Sequence, residues 1–382
     1  MTRDLAFAAE CTALCDALRP HATLGALQRT PAWKELEPRL RRVLGTLRRH
    51  APPQPPDQAP DPARLMAVQW NIEHGNRFDA IAQALRDHPQ LEAADLVFLN
   101  EVDLGMARSG NRDVADDLAR ALGFHGVWAP LFLEITTGRD DDTALAAGLQ
   151  NQEALFGLAI LSRWPIGEAR AIELPSPVEY QFDVERMYGR HVGLVAAIER
   201  PGEPFVAVSV HLEVLRTRRH RAIQMQTLMD GLAREGRPII LAGDFNSHTF
   251  DRGRWWDPLL GGTVLTCWPD GWLSHRLLHP DRGGTRERTF DVLREARFEW
   301  LPLNDRRPTL QLRFDRLHEA RGLRSALGSI VRPLLARAER RSQLRLDWFA
   351  GRDWRRGRGA TVVGLDGPGR PSDHAPIVAE FR

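Results

Sequence analysis

PIILAGDFNSH, residues 238–248, leads from an apolar run directly into acidic and amide side chains. Ile239, Ile240 and Leu241 lack the alternation of apolar and polar residues seen in half-exposed strands, which predicts a strand covered on both faces. Asp244 and Asn246 are two residues apart, so an extended backbone places both side chains on the same side. Because burying an unpaired carboxylate is unfavourable, this pair requires a helix N-terminus, an arginine, or a metal ion with a phosphate.

Other apolar runs of the chain end in the same way. LMAVQWN, ADLVFLNE and PFVAVSVH each finish on a polar residue, and ATVVGL precedes GPGRPSDH and a last apolar run, APIVAEF. Helical stretches lie between several of these runs, so their order predicts a layered α/β architecture. Since rigid scaffolds usually hold their chemistry at strand ends and loops, we expect the polar residues to meet at one sheet edge. They are Asn71, Glu101, His211, Asp244, Asn246, Asp373 and His374.

The composition is that of an ordinary globular protein, with 43% hydrophobic and 27% charged residues. The net charge of +2 argues neither for nor against nucleic acid as a partner. The three cysteines show no metal-binding spacing, and their odd number without a disulfide framework fits a reducing compartment. No stretch approaches the roughly 18 apolar residues of a membrane span, so no stable membrane insertion is expected and a cytoplasmic location is predicted.

The chain divides into an appendage, a linker and a main domain. A helical appendage is predicted for residues 1–50, where LAFAAECTALCDALRP and PAWKELEPRLRRVLGTLRRH repeat apolar residues at helical steps. Residues 51–63 are proline-rich and predict an extended linker. The main domain is expected over residues 64–382, with a helical insertion near residues 314–342.

The polar residues at the strand ends match the chemistry of a divalent metal. Glu101, Asp244 and Asp373 offer hard oxygen ligands, and Asn71 adds a neutral one. Such ligands favour Mg²⁺, with Mn²⁺ as a substitute, whereas zinc would require more histidine or cysteine. Histidines that titrate near neutral pH accompany them, so the set is equipped for metal-assisted hydrolysis of a phosphate ester.

The motifs WNIEHG, FLNEVD, GLAILSRWPI, VHLEV, GDFNSH, RLDWF and SDHAPI occur in the order found in the endonuclease/exonuclease/phosphatase family. The chain therefore resembles that family, which includes pancreatic deoxyribonuclease-like enzymes, abasic-site endonucleases, neutral sphingomyelinases and inositol-polyphosphate phosphatases. GDFN together with a terminal SDH is a specific pair, and the resemblance covers nearly all of residues 67–382. It implies an α/β fold, a four-layer α/β sandwich with two packed mixed β-sheets and a site at one edge.

The resemblance also implies a metal-binding set. Glu101 would be the principal ligand of the ion, Asn71 would hold it as well, and Asp373 would complete its surroundings. Glu73 shares a side of the strand with Asn71, and both a supporting role and simple surface exposure are open for it.

The remaining roles implied by the resemblance concern the phosphate and the attacking water. Asp244 and Asn246 would orient the water and a phosphate oxygen, and His211 would donate to the phosphate. Asp347 of RLDWF would orient the ring of His374. The resemblance leaves open which group removes the proton; we favour deprotonation near Asp244 and an electrostatic role for His374.

Departures from the family pattern leave the substrate open. Asn100 stands where glutamine often precedes the glutamate, and the long segment between GDFN and RLDWF contains the inserted helix. Arg108, Asn111 and Arg190 are candidate substrate contacts. The prediction is a Mg²⁺-dependent phosphodiesterase with DNA or RNA as first-ranked substrate, a hydrolase of lipid or small soluble phosphoesters as the alternative, and an inactive binding scaffold third.

Overall fold

The computed structural model describes residues 4–52, 64–138, 141–214, 216–247, 263–265, 267–284, 286–312, 336–354 and 356–382. Most of the predicted linker, residues 53–63, lies outside these ranges, as do residues 314–335 of the predicted insertion. The last part of that insertion, residues 336–341, is helical.

Fifteen strands are named within the described ranges. They are β1 Arg48–His50, β2 Leu65–Asn71, β3 Leu96–Leu104, β4 His125–Glu134, β5 Leu155–Ser162, β6 Ile166–Glu173, β7 Met187–Gly189, β8 Val192–Ile198, β9 Phe205–His211, β10 Ile239–Asp244, β11 Leu310–Gln311, β12 Gln343–Leu344, β13 Asp347–Arg352, β14 Gly357–Thr361 and β15 Ile377–Phe381.

The helices of the described ranges lie before and between these strands. They are α1 Leu5–Leu18, α2 Leu24–Gln28, α3 Trp33–Leu44, α4 Phe78–Asp87, α5 Val114–Leu122, α6 Asp141–Leu145, α7 Val178–Tyr180, α8 Arg218–Gly231, α9 Asp270–Leu278 and α10 Thr289–Glu295. Shorter helical turns occupy Glu73–Gly75, Ala107–Ser109 and Gln181–Glu185.

Two large mixed sheets form the centre of the molecule. The larger has the strand order β1-β4-β5-β3-β2-β15-β14, with β7 beside β4, and the smaller has the order β13-β10-β9-β8-β6. β2 pairs with β3 in parallel, and β9 pairs with β10 in parallel, whereas their other neighbours are antiparallel. Each parallel pair lies inside its sheet, as expected for strands buried on both faces.

Apolar clusters define four layers. One cluster joins the facing sides of the two sheets. A second joins the outer face of the larger sheet to α1, α3, α4 and α5, and a third joins the outer face of the smaller sheet to α8 and α10. The predicted four-layer α/β sandwich with two packed mixed sheets is therefore confirmed.

Strand alternation places polar residues where the core between the sheets ends. Ala67, Phe98, Ala207, Ala242 and Phe349 belong to the inter-sheet cluster. Successive side chains of a strand alternate between faces, so residues an even number of positions away share that face. The polar residues at those positions are Gln69, Asn71, Asn100, Ser209, His211, Asp244 and Asp347.

The N-terminal helices are part of the outer layer on the larger sheet. Leu14, Leu27 and Leu40 are buried in one cluster with Trp128 and Leu161 of β4 and β5. β1 pairs with the edge of β4 in antiparallel register. The predicted helical appendage thus contains helices, and its last residues form an edge strand; whether it is a separate domain stays a prediction.

Candidate active site

A β-bulge brings Glu101 beside Asn71. Strands β2 and β3 pair with Asn71 opposite Asn100. Regular alternation along β3 would therefore direct Glu101 to the other face of the sheet. Instead, the register of β3 against β5 shifts between Asn100 and Val102, and Glu101 has a φ of 54°. Asn71 Nδ2 then donates to Glu101 Oε1 at 2.9 Å. The bulge therefore supplies a carboxylate to the inter-sheet edge.

The Glu101 carboxyl group is held in its ionised form. Burial alone would raise its pKa, but the charges of His74 and His211, the hydrogen bond from Asn71 and the charge of His374 lower it to about 2. Metal ligation requires a deprotonated carboxylate, and Glu101 meets this requirement at any physiological pH.

The end of β10 carries the next carboxylate. A Cβ at Gly243 would lie 1.8 Å from the carbonyl oxygen of Val210, so only glycine lets β10 pass this close to β9. Asp244 Oδ2 lies 3.4 Å from Asn71 Nδ2, and Asp244 Oδ1 accepts from the Asn246 backbone N–H at 2.8 Å. Asn246, with a φ of 48°, donates its Nδ2 to the Leu212 carbonyl at 2.7 Å.

Two histidine rings face the same carboxylate. His211 Nε2 lies 3.7 Å from Asp244 Oδ2, and His374 Nε2 lies 3.9 Å from it. Burial and the neighbouring Asp347 charge raise the pKa of Asp244, against the opposing effect of the two histidines. Asp244 is thus a carboxyl group whose proton affinity has been increased, as a proton acceptor near neutral pH requires.

His374 and Asp347 form a buried dyad. Nδ1 of His374 contacts Asp347 Oδ2 at 2.8 Å, and Asp347 is fully buried. Burial alone would lower the pKa of His374, but Asp347, supported by Asp244 and Asp373, raises it well above its ordinary value. The ring is therefore a fixed positive charge at the site.

A buried pair of amides, Gln69 and Asn100, connects the two sheets below the site; we call it the inter-sheet clamp. Gln69 Nε2 donates to Asn100 Oδ1 at 2.9 Å and to Asp347 Oδ1 at 2.8 Å. Asn100 Oδ1 also accepts from the Asp244 backbone N–H at 2.8 Å, and its Nδ2 donates to the Val210 carbonyl at 3.2 Å. The sequence-based reasoning missed Gln69, although its two-residue spacing from Asn71 could have identified it.

The predicted neighbours of the metal set occupy the adjoining turns. Asp373 is half-buried beside His374, and the Ser372 hydroxyl lies 3.5 Å from Asp373 Oδ1. That hydroxyl also donates to the Asn71 carbonyl at 2.7 Å, which ties the SDH turn to the end of β2. Glu73 contacts Asn71 through its backbone N–H, which lies 3.2 Å from Asn71 Oδ1.

The predicted substrate contacts differ in their surroundings. Arg108 is buried, and its guanidinium pairs with Asp103 at 2.9 Å, Glu134 at 2.9 Å and Asp142 at 3.2 Å. Asn111 adopts a left-handed turn with a φ of 57° and donates to the Gln150 carbonyl at 3.0 Å.

Arg190, the remaining predicted contact, is a partly exposed side chain paired with Glu173. Among the described residues that line the cleft, Arg108 is present, whereas Asn111 and Arg190 are not. The prediction that these three residues contact substrate stays a prediction.

A cleft of about 250 Å³ opens beside Glu101 and His211. Aromatic and aliphatic side chains form part of its wall, and His74, which the sequence-based reasoning left without a role, also lines it. Burial and Arg108 oppose protonation of His74, but Glu101 and Asp103 outweigh them and raise its pKa to about 9. The residues of the wall are His74, Glu101, Arg108, Leu131, Phe132, Glu134, Asp142, Phe156, Gln181, Glu185, Met187, His191, His211, Leu212, Glu213 and Val214.

The donor chemistry of the site fits a divalent cation with oxygen preference. Glu101 and Asp244 flank Asn71, whose Nδ2 contacts both of their carboxylates. Ligand atoms of Asp244, Asp347 and His374 also lie within 4.8 Å of one another. We favour the Glu101 side for the ion, because both oxygens of Asp347 are already used by Gln69 and His374.

Comparison with known proteins identifies the family of the chain. The family model for the Endonuclease/Exonuclease/phosphatase family matches residues 68–374. A search among curated proteins finds no match.

Within the described ranges, every helix is too short or too polar to cross a membrane.

Solved structures resemble the chain at low identity. An endonuclease/exonuclease/phosphatase from Beutenbergia cavernae is 18% identical with a TM-score of 0.47, over 84% of this chain and 71% of that one. The 3' phosphatase NExo from Neisseria, bound to a product DNA hairpin, is 17% identical with a TM-score of 0.47, over 83% and 99%. Sphingomyelinase C from Streptomyces griseocarneus is 12% identical with a TM-score of 0.46, over 84% and 99%.

The family model spans both sheets and the strand ends at which the polar residues converge. The chain therefore belongs to the endonuclease/exonuclease/phosphatase family of hydrolases, which act on phosphate esters.

Proposed function

We propose that the protein is a Mg²⁺-dependent phosphodiesterase, with Mn²⁺ as a substitute for Mg²⁺. The observation that supports this proposal is the convergence of Asn71, His211 and His374 on one oxygen of Asp244, beside the ionised Glu101. A metal-assisted hydrolase requires ligands, phosphate donors and a water-activating group close together. These residues supply each of them, and Glu101 and His211 line the cleft beside them.

In this proposal Glu101 and Asp373 hold the ion through carboxylate oxygens. Asn71 joins them through Oδ1, the amide oxygen that lies 3.2 Å from the Glu73 backbone N–H. When bound, the ion supplies charge stabilisation to the phosphoryl oxygens of the substrate. Asn71 also spans the gap between Glu101 and Asp244, so it fixes the spacing of the two carboxylates.

The remaining residues act on the phosphate and the water. Asp244, with its raised pKa, accepts the proton of the water that attacks phosphorus in line with the leaving group. His211 donates to a non-bridging oxygen, and Asn246 orients the water and a phosphate oxygen. His374, kept positively charged by Asp347, stabilises the negative charge that develops in the transition state.

Nucleic acid is the first substrate to test, and a lipid or small soluble phosphoester is the second candidate. The composition of the cleft wall favours the second candidate. Arg108, the arginine among the described residues of this wall, is already paired with three carboxylates. Phe132 and Phe156 of the same wall provide apolar surface. A small or partly apolar ester suits such a wall better than a polyanion does.

The domain assignment and the compartment complete the proposal. Residues 64–382 would form the catalytic domain, and residues 1–50 the helical appendage joined to it by residues 51–63. The compartment proposed is the cytoplasm, on the ground of the odd number of cysteines without a disulfide framework.

Turnover assays with Mg²⁺ test the function directly. Plasmid DNA, short RNA, sphingomyelin vesicles and inositol phosphates are compared side by side, with bis(p-nitrophenyl) phosphate as a generic diester. Glu101→Ala is expected to abolish hydrolysis of whichever substrate is cleaved, since the ion loses its principal ligand. Unchanged turnover in Glu101→Ala would refute the metal assignment, and cleavage of lipid or inositol phosphate alone would select the second candidate.

A further inference from the structure

The turn after β2 is bent sharply enough to return a histidine onto β3. Glu73, His74 and Gly75 have φ values of 46°, 64° and 75°, all in the left-handed region. For non-glycine residues this conformation is sterically unfavourable, so it persists only where the surroundings impose it. At Gly75 a Cβ would lie 2.7 Å from Val114, so the turn is also pressed against α5.

The His74 ring lies between two carboxylates. Its Nε2 is 3.4 Å from Glu101 Oε2, and its Nδ1 is 3.4 Å from Asp103 Oδ1. The ring meets Phe156 edge-on, with 5.4 Å between centroids and an angle of 89° between planes. Two ion-pair contacts and one ring contact therefore enclose the His74 side chain.

Asp103, the carboxylate on the side of His74 away from Glu101, is held in place by Arg108. Arg108 binds both oxygens of Asp103, with Nε and Nη2 each donating at 2.9 Å. Asp103 is fully buried, so it is a rigid support for the His74 Nδ1. On the near side, Asn71 engages one oxygen of Glu101 and His74 faces the other.

We propose that His74 is a positioning residue that fixes the orientation of the Glu101 carboxylate before the divalent ion binds. This inference rests on the proposed metal site at Glu101. Residues that orient a metal ligand from behind typically contribute 10- to 100-fold, roughly, to metal affinity. His74 acts through its N–H toward Glu101 Oε2, and a side chain that offers an N–H at the same distance replaces it.

The test is a calorimetric titration of the chelator-treated, full-length protein with MgCl₂, without substrate. His74→Met and His74→Gln have similar length and flexibility, but only glutamine can donate to Glu101. We expect His74→Met to bind Mg²⁺ about 10- to 100-fold more weakly than His74→Gln, because both substitutions remove the ring and its charge and only glutamine keeps an N–H toward Glu101. His125→Gln, at the start of β4, is the matched control and keeps wild-type affinity.

Each result has a defined meaning. Equal Mg²⁺ affinities of the Met and Gln variants, or tighter binding by His74→Met than by His74→Gln, would overturn the positioning role. If the wild type binds no Mg²⁺, or Glu101→Ala binds it normally, the metal site of the proposed function fails first, and the role of His74 falls with it. Thermal unfolding without metal verifies folding; His74→Phe, which keeps a ring against Phe156 without an N–H donor, replaces His74→Met if that variant does not fold.

Discussion

At the scale of single residues, the site depends on carboxylates whose two oxygens have different partners. Asp347 gives one oxygen to His374 and the other to Gln69. Glu101 gives one oxygen to Asn71 and turns the other toward His74. Fixing both oxygens sets the plane of a carboxylate, and orientation of this kind is what catalytic groups require from their neighbours.

The dyad provides the first prediction. Asp347→Asn is expected to lower kcat for a diester about 100- to 10,000-fold with little change in KM, because a neutral amide does not sustain the charge on His374. Steady-state kinetics with bis(p-nitrophenyl) phosphate measure the effect. Asp281→Asn is the control: this buried carboxylate pairs with Arg306, so its loss affects stability rather than kcat. Equal kcat losses in both variants would contradict the assignment.

His74 makes the stability of the metal-free protein depend on pH. Its pKa is raised from 6.5 to about 9 by Glu101 and Asp103, against burial and Arg108. The stabilisation, about 3 kcal/mol, is fully present below the unfolded pKa and is lost as pH rises through about 9. His374 titrates in the same sense, so the informative quantity is the wild-type free energy of unfolding minus that of His74→Gln. Urea unfolding with chelator should show this difference shrinking from about pH 6 to about pH 9.5; a constant difference would contradict it.

At the scale of secondary-structure elements, alternation and irregularity each account for part of the site. Alternation was predictable: the spacing of Asp244 and Asn246 after an apolar run identified the strand end. The bulge was not, because alternation alone directs Glu101 away from Asn71, and only the shifted pairing of β3 with β5 reverses it. The strand-end pattern indicated Glu101 as an oxygen ligand and the family resemblance made it the principal one, but neither indicated the bulge that brings it beside Asn71.

Sequence patterns also could not predict the ion pairs between secondary-structure elements. The sequence analysis treated Arg108 and Arg190 alike, as candidate substrate contacts, because a single sequence does not indicate which arginine is buried. In the structure Arg108 joins β3, β4 and α6 through one carboxylate of each, whereas Arg190 pairs with Glu173 near the surface. Whether an arginine is enclosed depends on carboxylates that lie at other positions along the chain.

This contrast gives a matched pair of variants. Arg108→Met should destabilise the protein by about 3–5 kcal/mol, because Asp103 and Glu134 remain buried without their cation. Arg190→Met should cost less than about 1 kcal/mol, because its ion pair with Glu173 is exposed. Urea denaturation at constant pH measures both free energies of unfolding. Similar losses in the two variants would mean that Arg108 does not have the enclosed role seen here.

At the scale of the whole molecule, the site depends on how the two sheets face each other. The inter-sheet clamp of Gln69 and Asn100 bonds to Asp347 and to the backbone of Asp244, so it links the larger sheet to both acidic strands of the smaller one. The motifs, through the family resemblance, predicted two packed sheets, but they did not predict the clamp, because Gln69 meets Asp347 only once the whole inter-sheet cluster has packed.

The same reasoning applies to the N-terminal residues, whose helical pattern gave no information about where they pack. Leu40 of α3 is fully buried in the cluster that contains strands β4 and β5, whereas Leu5 is 76% exposed. A separately folding appendage would unfold in a transition of its own. A shared core instead couples the helices to the larger sheet, so both should unfold together.

Differential scanning calorimetry of Leu40→Ala therefore tests the division of the chain into domains. If the core is shared, this substitution removes about 2–5 kcal/mol from a single cooperative transition and lowers its midpoint. Leu5→Ala should change stability by less than about 0.5 kcal/mol, because its side chain is already in water. A transition at lower temperature that alone responds to Leu40→Ala would instead identify residues 1–50 as an independent unit, and the outer layer of the larger sheet would then begin at α4.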